Sequence, residues 1–99
     1  MSYHVRFTPG ARHDLLRLYE FLLQQDEQAA RHARDAIAKG LELLQDFPLS
    51  CRKVQENDPF LRELVIPFGS AGYVALFEVE NSSAVTILAV RHQREQDYY

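Results

Sequence analysis

Arg62, Arg91, His92 and Arg94 are the residues of this 99-residue chain best suited to chemistry. Arginine stays charged at any physiological pH and offers a planar fork to phosphate or carboxylate. Histidine exchanges a proton near neutrality. Tyr73, Tyr98 and Tyr99 add phenols for hydrogen bonding or base stacking. These are the components an RNA-cleaving site needs: a base for the 2′-hydroxyl, cations for the phosphorane charge, and an acid for the leaving oxygen. The same residues also have a plainer reading. Arg62 can pair with Glu63, Glu78 or Glu95 on a sheet surface, His92 can cap the sheet, and the terminal tyrosines can be frayed. Position raises them above ordinary surface charge. Arg62 lies inside the apolar run Leu61-Arg62-Glu63-Leu64-Val65-Ile66-Pro67, and Val90-Arg91-His92-Gln93-Arg94-Glu95 closes a β-rich run. Paired strands would aim these cations at an anionic partner.

Other reactive side chains carry less. His4, His13 and His32 are scattered over different elements without ligand spacing, so no metal site and no cofactor are expected. Cys51 is the lone cysteine, which excludes an internal disulfide and a cysteine-based zinc site. Arg52 and Lys53 beside it would lower its pKa. Asp14 and Glu20 read as a solvated helix face. Gly69 and Gly72 lie between strands and do not form a phosphate-binding loop before a helix.

The chemistry needs a frame, and the chain supplies one domain over residues 1–99. With 46% hydrophobic residues it can bury one two-layered core. The net charge of -3 argues against a free-standing nucleic-acid binder, although a local basic patch remains compatible with it. No run approaches the ~20 apolar residues of a membrane helix. The residues from Met1 to Arg6 already alternate like a strand, which argues against a signal peptide. The expected setting is the cytoplasm, with no membrane partner.

Tyr3, Val5 and Phe7 alternate with His4, Arg6 and Thr8 as in a half-buried strand. Thr8-Pro9 opens a helix, with a hydroxyl at the N-cap and proline at the first helical position. Ala11, Leu15, Leu18 and Leu22 give it an apolar stripe that fades near Gln24-Gln25. Asp26 caps a second helix, which carries Ala30, Ala33, Ile37, Leu41 and Leu44 on one face and ends near Phe47, before Pro48. So short a connection makes an antiparallel hairpin. The polar stretch from Pro48 to Pro59 reads as a loop. Leu61 to Ile66 is a strand closed by Pro67, and Gly69 to Gly72 a turn. Tyr73 to Glu80 is a strand, Asn81-Ser82-Ser83 a hairpin turn, and Ala84 to His92 a last strand, apolar on both sides and therefore central. The fold class is α+β in the order β-α-α-β-β-β, a small antiparallel-rich sheet packed on an antiparallel helical hairpin.

In this order the strings resemble the RelE/ParE superfamily, the toxins of type II toxin–antitoxin pairs, often labelled plasmid stabilisation proteins. Val5-Arg6-Phe7-Thr8-Pro9-Gly10-Ala11 with Asp14-Leu15 looks like the family's first strand and helix start. Phe47-Pro48 looks like the end of its second helix. Leu61-Arg62-Glu63-Leu64 and Tyr73-Val74-Ala75-Leu76-Phe77 look like its next strands, and the run from Ile87 to Glu95 like its final strand and tail. The resemblance spans nearly the whole chain. It implies a co-encoded antitoxin in a hetero-oligomer, and one of two activities. RelE-like members are mRNA endonucleases acting in the ribosomal A site; ParE-like members poison DNA gyrase and have no ribonuclease site. Arg62, Arg91, His92 and Tyr98 occupy places comparable to the cationic and proton-transferring groups of the first type. Yet no lysine falls on an expected strand, and the chain is acidic. The Pro9-Gly10-Ala11 start, the long second helix and the Val-Arg-His-Gln-Arg tail look more like the ParE side. The expectation is a non-enzymatic gyrase inhibitor contacting its target through Arg62, Arg91, His92 and Arg94. The alternatives are a ribosome-dependent mRNA endonuclease and an inactive antitoxin-binding module.

Overall fold

The computed structural model describes residues 2–94. The first strand, β1 (His4–Phe7), runs into α1 (Pro9–Gln25) at a capped junction. The Thr8 hydroxyl accepts the Ala11 N–H at 3.0 Å and donates to the Leu88 carbonyl at 3.1 Å, so one side chain caps the helix and ties it to the sheet. Asp26 alone separates α1 from α2 (Glu27–Glu42). Its backbone N–H closes α1 onto the Leu22 carbonyl, and its carboxylate accepts the N–H groups of Gln28 and Ala29. A single residue thus ends one helix and starts the next, which forces the hairpin.

α2 stops at Glu42, earlier than the expected end near Phe47. The chain tightens into a 3₁₀ turn over Leu43–Gln45, which still delivers Leu44 fully buried to the core. The stretch expected to be a loop holds a second 3₁₀ turn, Pro48–Ser50, and a short strand, β2 (Arg52–Gln55). That strand pairs antiparallel with the start of β3 (Asp58–Phe68). It escaped the sequence reading because all four of its residues are exposed and no apolar alternation marks it. β3 is longer than expected at both ends. Pro67 does not close it, because Pro67 still pairs with Gly72.

β4 (Ala71–Asn81) and β5 (Ala84–His92) complete a five-stranded sheet in the order β1-β5-β4-β3-β2. β1 pairs parallel with β5 and the other pairs are antiparallel. β5 lies between β1 and β4, as its two-sided apolar pattern requires. Both helices cover one face. The core between the layers is built from Ala11, Leu18, Ala33, Ile37 and Leu41 against Leu64, Ile66, Tyr73, Ala75, Phe77 and Ile87. Two glycines set close approaches. A Cβ on Gly72 would lie 2.2 Å from the Ile66 carbonyl oxygen, and one on Gly40 would lie 2.8 Å from Ile66 Cγ1. The tight β3–β4 turn and the seating of α2 on β3 both depend on a missing side chain.

Candidate functional site

The alternation of β4 decides where each candidate cation goes. Tyr73, Ala75 and Phe77 belong to the core under the helices, so Val74 points to the other face. Arg91 stands opposite Val74 and therefore lies on the sheet face away from the helices. Arg62 stands opposite Phe77, on the helix-bearing face. Three residues of β4 separate the two positions, about 10 Å at strand rise. The four-residue cluster expected from sequence is thus divided. His92, opposite Tyr73, shares a face with Arg62 but lies four residues away along β4, about 13 Å, and on its other flank. Arg94 follows in the turn after β5. Tyr98 and Tyr99 lie outside the described residues.

Arg62 has a definite local role. Its Nε donates to the Pro59 carbonyl at 2.7 Å, and its Nη1 donates to the carbonyls of Leu49 and Cys51 at 3.0 and 2.7 Å. The guanidinium clasps the Pro48–Ser50 turn against the start of β3. The clasp is made to backbone carbonyls and not to Glu63 or Glu78; Glu63 accepts from Arg52 at 2.9 Å, and Glu95 lies outside the described residues. Arg91 turns its Nη1 toward the carbonyls of His92 and Gln93 at 3.3 and 3.4 Å.

Two sites differ from the sequence expectation through burial. Asp14 is 5% exposed rather than part of a solvated face. Its carboxylate accepts the Val90 N–H at 2.9 Å, at the edge of β5 beyond the point where β1 ends. Cys51 is half-buried, and burial pushes its thiol pKa up, against a smaller lowering by Arg62. The neighbouring Arg52 and Lys53 do not reverse this. Burial likewise pushes up the Tyr73 phenol.

Two of the surface concavities adjoin α1. An apolar cavity of about 400 Å³ opens between the helices, walled by Leu15, Leu16, Leu22, Ile37 and Leu41. A second, of about 640 Å³, lies at the end of β5, where α1 meets the β3–β4 turn. His92 and Arg94 line it together with Arg17 and Phe21. Arg17 is not among the candidate residues drawn from the sequence. Its spacing from Phe21, one helical turn on, is the signal that puts both on one edge of α1. Among the described residues there is no group of three or more His, Cys, Asp or Glu placed to hold a metal ion, and no helix is long and apolar enough to cross a membrane.

With this geometry in hand, comparison with known proteins gives the class. Residues 5–97 match the family described as the ParE toxin of type II toxin–antitoxin systems, parDE. The chain belongs to this family, within the RelE/ParE superfamily, and is the toxin component of a toxin–antitoxin pair. It is 38% identical over 93 residues to Toxin RelE3 of Caulobacter vibrioides, covering 93% of this chain and 96% of that protein. It is 31% identical over 96 residues to Toxin RelE1 of the same organism, covering 97% and 99%. Its fold matches a solved chain of the chromosomal ParDE system from P. aeruginosa with a TM-score of 0.73, at 20% identity, over 92% of this chain and 96% of that one.

Proposed function

We propose that the toxin acts without catalysis, by binding DNA gyrase, and that its antitoxin covers the apolar groove between the helices until it is removed. The observation that carries the first half is the division of the cations. Arg62 is committed to three backbone carbonyls, on a different face from Arg91 and distant from His92. A ribonuclease site needs base, acid and charge-stabilising cations within hydrogen-bond reach of one phosphate. The net charge of -3 also opposes the phosphate neutralisation that rRNA and mRNA binding requires. Support for the antitoxin groove comes from family membership and from the apolar walls, at whose rim Leu16 is 55% exposed.

Inducing the chain alone in cells separates the readings. The gyrase reading predicts a DNA-damage response with intact mRNA. Fragmented mRNA without DNA damage overturns it in favour of the endonuclease, which the names of the two Caulobacter relatives keep in view. Normal growth would mark an inactive antitoxin-binding module.

A further inference from the structure

The sheet ends on an edge whose side chains are their own complement. β2 is the terminal strand in the order β1-β5-β4-β3-β2, and among the described residues it pairs with β3 alone. All four of its residues are exposed. Leu64 belongs to the core, so Glu63 points to the face away from the helices, and Arg52, opposite Glu63, shares that face. The 2.9 Å bond from Arg52 Nε to the Glu63 carboxylate agrees with this placement. Val54 follows on the same face, 39% exposed, and Glu56 opens the turn into β3. Along the edge the row therefore reads cation, apolar, anion. Charged residues guard an edge strand when like charges would meet across a new pairing. In one register these charges do the reverse.

We propose that two copies of this chain associate through β2, antiparallel about a two-fold axis at Val54. Val54 then meets its own counterpart, Arg52 of each copy faces Glu56 of the other, and Lys53 stands opposite Gln55. The neighbouring registers lack this match. Centring on Lys53 sets that ammonium against itself. Centring between Lys53 and Val54 leaves Arg52 opposite Gln55 and Lys53 opposite Val54. A parallel pairing in register sets each cation against its like. A patch that complements itself is what a two-fold interface requires. It selects a second copy as the occupant, because an unrelated strand would have to carry the same row by chance. Arg52 need not release Glu63, since a guanidinium has further N–H donors for a second carboxylate. Glu56 gives up only an exposed contact with Lys53 at 3.7 Å. So short a contact makes the association weak and salt-sensitive. It does not depend on which target the toxin acts on.

The test is sedimentation velocity of the purified chain over about a hundredfold range of concentration, at low and high salt. Every chain carries Leu16→Asp, to keep association through the interhelical groove from masking the edge, and is verified as folded by circular dichroism and thermal melting. This parent should sediment faster as its concentration rises, and less so at high salt. Arg52→Glu and Glu56→Arg each turn two attractive contacts into repulsive ones and should weaken self-association roughly tenfold. Mixed in equal amounts, the two variants should recover it, because the reversed charges then face each other across the pair. Glu56→Arg decides if Arg52→Glu melts early through loss of the Glu63 bond. A parent that stays monomeric throughout overturns the proposal, as do folded single variants that associate as the parent does. Variants that weaken association but do not recover it when mixed overturn this register and with it the interface. A monomeric parent, with Glu56→Arg weakening antitoxin binding once Leu16 is restored, overturns it too and assigns the edge to the antitoxin.

Discussion

Arg62 and Asp14 show how a charged side chain can be bound into the fold through backbone groups. The Arg62 clasp joins a 3₁₀ turn to a strand through three backbone carbonyls. Arg62→Ala should destabilise the chain by about 2 kcal/mol, a fall in melting temperature of roughly 10 °C for a domain this small. Arg62→Lys should fall between, since an ammonium on a flexible stem reproduces the charge but not the fork. If Arg62→Ala instead melts like wild type while toxicity vanishes, the residue is functional and not structural. Asp14→Ala should cost about 1–3 kcal/mol by stranding the Val90 N–H, and Asp14→Asn much less, because its amide oxygen still accepts; chemical denaturation measures both. Cys51 and Tyr73 set a pH dependence. Burial raises both pKa values above their unfolded ones, so the folded state holds these protons more tightly. The associated stability is present below the ordinary thiol range and is lost as pH climbs through about 8.5 and beyond. Denaturation midpoints measured from pH 7 to 10 should fall, and Cys51→Ser should remove the first part of that fall.

At the scale of elements, the sequence shows whatever has a period or a cap. Thr8-Pro9, Asp26 and the apolar stripes of the helices are strong local signals, and both helix starts stand where those residues put them. β4 and β5 were legible because one face is core throughout. β2 was not, since an exposed edge strand of Arg52, Lys53, Val54 and Gln55 owes its existence to pairing with β3. Pro67 misled because proline ends most strands, yet at this edge of the sheet its missing N–H breaks no ladder bond. The candidate cations were legible as residues but not as a site. Which face Arg62 or Arg91 takes depends on strand register, and a shift of one residue reverses it. The β3–β4 turn gives a test at this scale. Gly72→Ala should cost about 3 kcal/mol, because its methyl would meet the Ile66 carbonyl rather than a movable side chain. Gly69→Ala, with open space around it and a φ of 62°, should cost only about 1 kcal/mol. Equal effects in thermal melts would contradict the register.

The whole molecule leaves apolar surface uncovered around its single core. Leu16 and Phe60 are more than half exposed and Leu23 is 39% exposed, whereas Phe68 packs partly against the core. The chain alone should therefore be less soluble than its complex with antitoxin, and Leu16→Asp should raise the solubility of the free toxin while weakening antitoxin binding. A free chain that is monodisperse at high concentration would contradict this. The central claim is that the toxin disables its target by contact rather than by cutting RNA. The most direct measurement is plasmid supercoiling by purified gyrase with the purified chain added. The account predicts dose-dependent loss of supercoiling, relieved by Arg94→Glu and unaffected by added ribonuclease inhibitor. Undiminished supercoiling, with mRNA cleaved when the same chain is added to a translation extract, would contradict it.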